Sequence, residues 1–116
     1  MLCKVVFHLD LNDPERMNIA LINLFNLLKD PFGKDAQTCV LANGQAVRLF
    51  AKNAALSTEA RIRELQQKGV RFLLCNNSLT SLGLSREELV AGCEVVPAGV
   101  VELIRLQQEG FAYIKP

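Results

Sequence analysis

The sequence predicts an α/β protein, a three-layer α/β/α sandwich with a mainly parallel five-stranded sheet. Short, nearly continuous apolar segments recur through the chain, as is typical of strands that are covered on both faces. They alternate with segments whose apolar residues repeat at helical spacing, and this alternation favours a parallel sheet between helical layers. No linker, repeat or change in composition interrupts the 116 residues, so we expect one domain spanning residues 1–116.

The first half of the chain supplies two of the strands. The apolar segment at residues 4–9 predicts the first strand, and residues 14–29 predict a helix with Asp13 as its N-cap and Pro14 at its first position. A second strand is expected at residues 38–42, before the turn-forming pair Asn43 and Gly44. A short helix at residues 45–50 and a longer one at residues 57–68, capped by Ser57, complete this half.

The second half supplies the other three strands. Residues 70–75 predict a third strand, which ends in the polar cluster Asn76-Asn77-Ser78. Ser85 opens a capping-box sequence for a short helix that we expect to end at Gly92. The remaining elements are a helical turn at residues 79–82, a strand at 93–96, a helix at 100–109 and a strand at 111–115.

The charge pattern and the N-terminal segment bound the function. Thirteen basic and 12 acidic residues give a net charge of +1 and are spread along the chain, so nucleic acid is not an expected partner. The apolar run that follows Met1 ends at Asp10, too early for a signal sequence or a membrane span. We therefore expect a cytoplasmic protein without a membrane partner.

The four cysteines do not form a metal or disulfide pattern. Cys3, Cys39, Cys75 and Cys93 are 36, 36 and 18 residues apart, with no C-x-x-C motif and no close pair that would bind zinc. Free thiols in a reducing compartment are the expected state. Glycine-rich phosphate-binding motifs are also absent from the sequence, so we expect neither a metal nor a cofactor.

Polar residues gather where the predicted parallel strands end. The carboxyl ends of parallel strands meet at one edge of the sheet, where ligands bind in α/β proteins. That edge should collect a single group of side chains and backbone positions: His8, Asn43, Gly44, Cys75, Asn76, Asn77, Ser78 and Gly99. Of these, His8 and Cys75 have side chains suited to acid/base or nucleophilic chemistry near neutral pH.

Cys75 is the stronger candidate for a reactive group. A thiol where a strand meets a helix lies near unpaired backbone N–H groups and the positive end of the helix dipole, and both favour the thiolate. Cysteine also serves as a small buried hydrophobic residue, and a histidine at a strand end can be purely structural. Asn76, Asn77 and Ser78 are equally suited to starting a helix.

Seven segments together resemble a branch of the DsrE-like (DsrE/DsrF) small proteins. They run in order along nearly the whole chain: Phe7 to Asp10, Asn23 with Asn26 to Leu28, Leu41 to Gly44, Gly69 to Phe72, Cys75 to Leu79, Val95 to Leu103 and Gln108 to Pro116. The resemblance implies a five-stranded α/β/α fold, homo-oligomers such as trimers or hexamers, and a superfamily that includes sulfur-relay proteins. In those relatives a cysteine after the third strand carries a persulfide sulfur, and Cys75 matches its position.

The match leaves two functional hypotheses. In the first, Cys75 is the catalytic thiol of a sulfur carrier that exchanges sulfur with donor and acceptor proteins, while His8 and the N–H groups after Cys75 stabilise the anion. In the second, the same edge belongs to a non-catalytic oligomeric module that binds a small anionic ligand or a partner protein. Seven aromatic residues and many aliphatic ones exceed what one small sheet hides, which also favours a homo-oligomer.

Overall fold

Strands and helices alternate through the structure, a computed structural model that describes residues 2–52 and 54–116. The elements are β1 (Lys4–Leu9), α1 (Pro14–Lys29), β2 (Gln37–Ala42), α2 (Leu56–Gln67), β3 (Arg71–Cys75), α3 (Asn76–Leu82), β4 (Glu94–Val96), α4 (Gly99–Gln108) and β5 (Ala112–Ile114). Two short 3-10 helices, Gly44–Phe50 and Arg86–Glu88, lie before α2 and before β4.

The five strands form one sheet in which every neighbouring pair is parallel. Their order across the sheet is β4-β3-β2-β1-β5, so β5 joins the side of β1 that β2 leaves free. In the register, His8 lies opposite Leu41 and Leu41 lies opposite Leu73, while Cys75 lies opposite Val96. The predicted α/β class with a parallel five-stranded sheet is confirmed, and the carboxyl ends of all five strands share one edge.

Each face of the sheet packs against a different set of helices, because side chains along a strand alternate between faces. The larger core joins strand residues such as Phe7, Val40 and Phe72 to buried side chains of α1, α2, α3 and the first 3-10 helix. The smaller core lies on the opposite face: Val6, Cys39, Leu41 and Leu73 of the strands, and Leu103, Leu106 and Phe111 in and after α4. The sheet is therefore enclosed between helical layers, of which α4 forms one.

Local sequence signals set most helix ends. Asp13 accepts a hydrogen bond from the Glu15 backbone N–H at 2.9 Å and caps α1, with Pro14 at its start. Ser85 forms the expected capping box, but the helix it opens is a 3-10 turn that ends at Glu88 rather than at Gly92. The Ser57 prediction was wrong, since α2 begins one residue earlier and no side chain caps it.

The helix after β3 starts without an intervening loop. Cys75 has extended backbone angles (φ −73°, ψ 117°) and is the N-cap, so Asn76 is already the first helical residue. The expected helix start at residue 79 is therefore three residues too late. Because the strand ends and the helix begins at the same residue, the Cys75 side chain lies at the junction itself.

The first half of α4 exposes several apolar side chains. Val100, Val101 and Ile104 expose 60%, 60% and 53% of their area, and Tyr113 on the neighbouring part of the sheet exposes 42%. Exposed apolar side chains at this density commonly mark a surface that another protein covers. None of the helices in the described ranges has the length and apolar character needed to cross a membrane.

Candidate functional site

The Cys75 sulfur lies where two helices begin. Cys75 is the last residue of β3 and the N-cap of α3, and it exposes 5% of its area. Its Sγ accepts a hydrogen bond from the backbone N–H of Gly99, the first residue of α4, at 3.3 Å. The first N–H groups of a helix have no partner within the helix, so they are available to an electron-rich sulfur.

Neutral dipoles favour the thiolate of Cys75. Burial raises the pKa of this thiol, but the Ser78 hydroxyl and the backbone N–H groups of Gly99, Ser78 and Asn77 lower it, and the net shift of the pKa is downward. Among these groups, the Gly99 N–H makes the hydrogen bond of full geometry, and the others act as nearby dipoles. A lowered pKa increases the thiolate fraction, which is the nucleophilic form of cysteine.

Gly99 is required by the close approach of α4 to the sulfur. A β-carbon at this position would lie 3.1 Å from the β-carbon of Asn43, 3.2 Å from Leu41 Cδ2 and 3.3 Å from the β-carbon of Cys75. These separations are tighter than ordinary van der Waals contact, so a side chain would push the helix start away from Cys75. Glycine therefore lets the N–H reach the sulfur.

Gly44 orients the second donor, Ser78. The backbone N–H of Gly44 donates to Ser78 Oγ at 2.7 Å, which leaves the hydroxyl hydrogen free to face Cys75. Gly44 has a φ of +58°, in the left-handed region that glycine adopts with little strain. The turn after β2 thus supports the thiol through one serine.

His8 belongs to a second hydrogen-bond chain at the same edge. Its Nε2 lies 2.8 Å from Asn43 Oδ1 and its Nδ1 lies 2.6 Å from the Tyr113 hydroxyl oxygen. An amide oxygen only accepts, so Nε2 carries the hydrogen, and the Nδ1 of the neutral ring accepts from Tyr113. Both ring nitrogens are engaged, and His8 contacts Asn43 rather than Cys75.

The predicted site residues fall into two groups. The first group surrounds the sulfur, directly or through one neighbour, and consists of Cys75, Ser78, Gly44, Gly99 and Asn43. His8 joins this group through Asn43. Asn77 contributes its backbone N–H, while its side chain is exposed. Asn76 is exposed as the first residue of α3, and none of the described hydrogen bonds links its side chain to the sulfur.

Tyr113 is the site residue that the sequence did not reveal. It reaches His8 because β5 pairs with β1, an order of strands that apolar spacing does not encode. The available signal was weak: Tyr113 is the one tyrosine of the chain and lies in a strand with Phe111 just before it. A tyrosine hydroxyl that is partly buried usually has a hydrogen-bond partner.

A shallow pocket adjoins the thiol without including it. Its volume is about 360 Å³, and it is lined by Gly44, Gln45, Asn77, Ser78, Ser81 and Leu82. Ser78 is shared between the pocket and the surroundings of the sulfur. Its lining combines polar side chains such as Asn77 and Ser81 with apolar surface that includes Leu82, and this mixture suits a small ligand or a peptide segment held beside Cys75.

The other thiols have different surroundings. Burial raises the pKa of Cys39 to about 11 and that of Cys93 to about 12. All four cysteines are free. Across the described residues, no group of three or more His, Cys, Asp or Glu side chains could hold a metal ion. The surroundings of Cys75 therefore favour ionisation, whereas those of Cys39 and Cys93 oppose it.

Comparison with known proteins gives matches along nearly the whole chain. MTH1491, a protein of unknown function from Methanobacterium thermoautotrophicum, has a similar structure with a TM-score of 0.90 and 33% identity, over 98% of this chain and 99% of that chain. Among curated proteins, no match is found.

Two further solved structures share the fold. The ychN protein from E. coli has a TM-score of 0.83 at 16% identity, over 99% of this chain and 100% of its own. BT1422, a conserved protein of unknown function from Bacteroides thetaiotaomicron, has a TM-score of 0.73 at 17% identity, over 97% of this chain and 94% of its own. At these identities the likeness shows the fold alone.

The sequence match identifies the family. The model of the DsrE/DsrF-like family matches residues 4–116, which include all five strands and every residue of the site. The chain therefore belongs to the DsrE/DsrF-like family.

Proposed function

We propose that this chain is a persulfide carrier in which Cys75 holds one sulfur atom between a donor and an acceptor protein. The DsrE/DsrF-like family suggests membership of the sulfur-relay superfamily, which gives the general chemistry. The observation that carries the specific proposal is the contrast between thiols. Donors at two helix starts lower the pKa of Cys75, whereas burial raises the pKa of Cys39 and Cys93.

The exchange conserves electrons and needs no cofactor. The Cys75 thiolate attacks the outer sulfur of a donor persulfide, R–S–SH; a new bond forms from Sγ to that sulfur, and the donor leaves as the thiolate R–S⁻. The product is Cys75–S–SH. An acceptor thiolate then attacks the same outer sulfur and releases the Cys75 thiolate. One cysteine is sufficient, because no intramolecular disulfide forms.

The surroundings of Cys75 fit each stage of this exchange. The Gly99 N–H and the Ser78 hydroxyl stabilise the attacking thiolate and, after release, the same thiolate as leaving group. Because Cys75 exposes 5% of its area, transfer requires the donor sulfur to enter the site. The pocket beside Ser78 is the site at which we expect the donor protein to dock.

Mass spectrometry tests the carrier proposal. After incubation with an alkyl persulfide, the wild-type chain should gain the mass of one sulfur, about 32 Da, on the peptide that contains Cys75. Cys75→Ser should not gain this mass, while the matched thiol deletion Cys93→Ser should gain it as wild type does. A wild-type chain that never gains the mass, or a Cys75→Ser chain that does, excludes the carrier function.

One observation favours the alternative of a non-catalytic binding module. The pocket of about 360 Å³ has hydrogen-bonding side chains in its lining, Asn77 among them, but Cys75 itself does not line it. If the pocket alone is functional, calorimetry with thiosulfate or sulfate as the probe anion should show binding that survives Cys75→Ser and weakens in Asn77→Ala. Persulfide loading of Cys75 without anion binding would instead support the carrier.

We further propose that the carrier works as a homo-oligomer, a trimer or hexamer, in a reducing compartment such as the cytoplasm. Support comes from the apolar surface of α4, where Val101 and Ile104 are more than half exposed. Free thiols such as Cys75 persist in reducing compartments. Light scattering should show a species larger than one chain, and Ile104→Lys should shift it toward the monomer.

A further inference from the structure

The hydrogen bonds that link Tyr113, His8 and Asn43 do not contact the Cys75 sulfur, which is the atom that exchanges sulfur in the proposed function. His8 is buried, with 9% of its area exposed, and both ring nitrogens have a defined partner. A buried ring that is held at both nitrogens fixes the orientation of the groups it contacts. The group fixed here is the side-chain amide of Asn43.

The position of β2 places Asn43 between His8 and Cys75. Asn43 follows β2, which lies between β1, the strand of His8, and β3, the strand of Cys75. The Oδ1 of Asn43 is directed toward His8 and hence toward β1. The Nδ2 group is the other branch of the amide, so the contact with His8 leaves it able to donate to a second partner.

The distances bring this amide within reach of a sulfur carried by Cys75. The β-carbons of Asn43 and Cys75 lie 3.1 and 3.3 Å from the point where a Gly99 β-carbon would stand, so their separation does not exceed the sum of these two distances. A persulfide extends the cysteine side chain by one S–S bond of about 2.05 Å. The Nδ2 atom lies two bonds beyond the Asn43 β-carbon, and the outer sulfur of a persulfide lies two bonds beyond the Cys75 β-carbon. These bonds are long enough for Nδ2 and the outer sulfur to come within hydrogen-bond distance.

We infer that Asn43 binds the outer sulfur of the Cys75 persulfide by donating a hydrogen bond from Nδ2, and that His8 and Tyr113 are positioning residues for this amide. The inference rests on the proposed carrier function. The outer sulfur of Cys75–S–SH readily loses its proton to solvent and then bears the negative charge, which an amide N–H stabilises. Asn43 gives up neither a proton nor electrons, so the balance of the exchange is unchanged.

The binding role is tested by the equilibrium of sulfur exchange between Cys75 and an alkyl persulfide, measured by intact mass at several ratios of persulfide to free thiol. Asn43→Ala should lower the exchange equilibrium constant about tenfold, the loss expected for one hydrogen bond to a charged group. Asn23→Ala removes the same amide from an exposed position on α1 and should match wild type. The alkylation rate of unloaded Cys75 by iodoacetamide should be the same in all three proteins.

The positioning role is tested by conservative replacements. His8→Gln keeps an N–H that can donate to Asn43 and should retain most of the exchange constant, whereas His8→Leu should lower it toward the Asn43→Ala value. Tyr113→Phe should give a smaller decrease. Adding His8→Leu to Asn43→Ala should cause no further decrease in the exchange constant, because positioning has no effect once the amide is gone.

The outcomes distinguish the role of Asn43 from the carrier function of Cys75. Wild-type loading of Cys75 with an unchanged exchange constant in Asn43→Ala overturns the role of Asn43 and leaves the carrier function intact. A decrease in exchange that is matched by an equal decrease in alkylation rate also overturns it, because Asn43 then acts on the thiol rather than on the outer sulfur. Failure of the wild-type protein to load sulfur overturns the carrier function and this inference together.

Discussion

Cys39 and Cys75 lie on the same face of the sheet, in neighbouring strands, yet their thiols differ in chemistry. Both are buried, with 1% and 5% of their area exposed. Cys39 lies within β2, where backbone N–H groups are paired in the sheet, and burial raises the pKa of its thiol to about 11. Cys75 lies where β3 ends and unpaired N–H groups begin, and the pKa of its thiol is lowered.

The comparison indicates that a thiol at the end of a strand meets hydrogen-bond donors that a thiol within the strand lacks. Burial alone favours the neutral thiol at both positions. At the end of the strand, the Ser78 hydroxyl and unpaired backbone N–H groups outweigh burial, whereas the N–H groups within the sheet already have partners. The same sheet therefore holds one cysteine whose pKa is raised and one whose pKa is lowered.

The largest expected effect is selective labelling of Cys75 in the native protein. At pH 7 about one Cys39 thiol in ten thousand is ionised, because its pKa is about 11, whereas the lowered pKa of Cys75 gives that thiol a larger ionised fraction. Peptide mapping after brief treatment with iodoacetamide should therefore show Cys75 labelled about a hundredfold faster. Equal labelling of the two cysteines in the folded protein would contradict the difference in ionisation between their thiols.

Alkaline pH should reveal the opposite behaviour of Cys39. Its folded pKa of about 11 exceeds the ordinary value of 9.0, so the folded state holds the proton more tightly than the unfolded state. Stability from this group is fully present below pH 9 and is lost as the pH rises through about 11, by about 2 to 3 kcal/mol. Urea unfolding at several pH values should show that the free energy of unfolding falls less at alkaline pH in Cys39→Ala than in wild type. An equal fall in both proteins would contradict the raised pKa of Cys39.

Gly99→Ala should bring Cys75 closer to the behaviour of Cys39. The added methyl group would press on Asn43, Leu41 and Cys75, so the N–H of residue 99 should move away from the sulfur. Loss of one hydrogen bond to a thiolate should slow alkylation of Cys75 at pH 7 about tenfold. Urea unfolding checks that the variant is folded, and an unchanged alkylation rate in a folded variant would exclude the Gly99 donor as a cause of the lowered pKa.

Ser78→Ala should have a smaller effect of the same sign. The hydroxyl is one of several donors that face Cys75, so its loss should raise the pKa of the thiol and slow alkylation about threefold, as for a weak hydrogen bond. Ser81→Ala is the matched control, because Ser81 lies on the same helix and lines the pocket beside Ser78. Equal slowing in both variants would point to a general effect on α3 rather than to the hydroxyl.

Much of the fold follows from local patterns in the sequence. β1 and α1 occupy the predicted residues, since a continuous apolar segment and a Pro14 helix start with an Asp13 cap are unambiguous signals. Helix ends with weaker signals differ from the prediction: residue 57 is a serine suited to capping, but α2 begins at Leu56 with Ala55 as its N-cap. Cys75 was singled out because the end of a strand is visible in the sequence.

The parts of the site that the sequence could not reveal depend on contacts between distant segments. The Gly44 N–H supports Ser78 across 34 residues, and Gly99 reaches Cys75 across 24. Both contacts depend on how the strand ends are arranged in space, and apolar spacing gives the strands but not their order. His8 was expected beside the anion, whereas the structure links it to Asn43 and Tyr113.

The pairing of β5 with β1 has a consequence for the order of events during synthesis. The hydrogen bond between His8 and Tyr113 joins residues 105 positions apart, so the imidazole has no hydroxyl partner until residue 113 has left the ribosome. Long-range closures of this kind form late and slowly relative to local helices. Nascent chains that already contain Cys75 therefore lack the hydrogen bond between His8 and Tyr113, which can form only after the end of the chain has been synthesised.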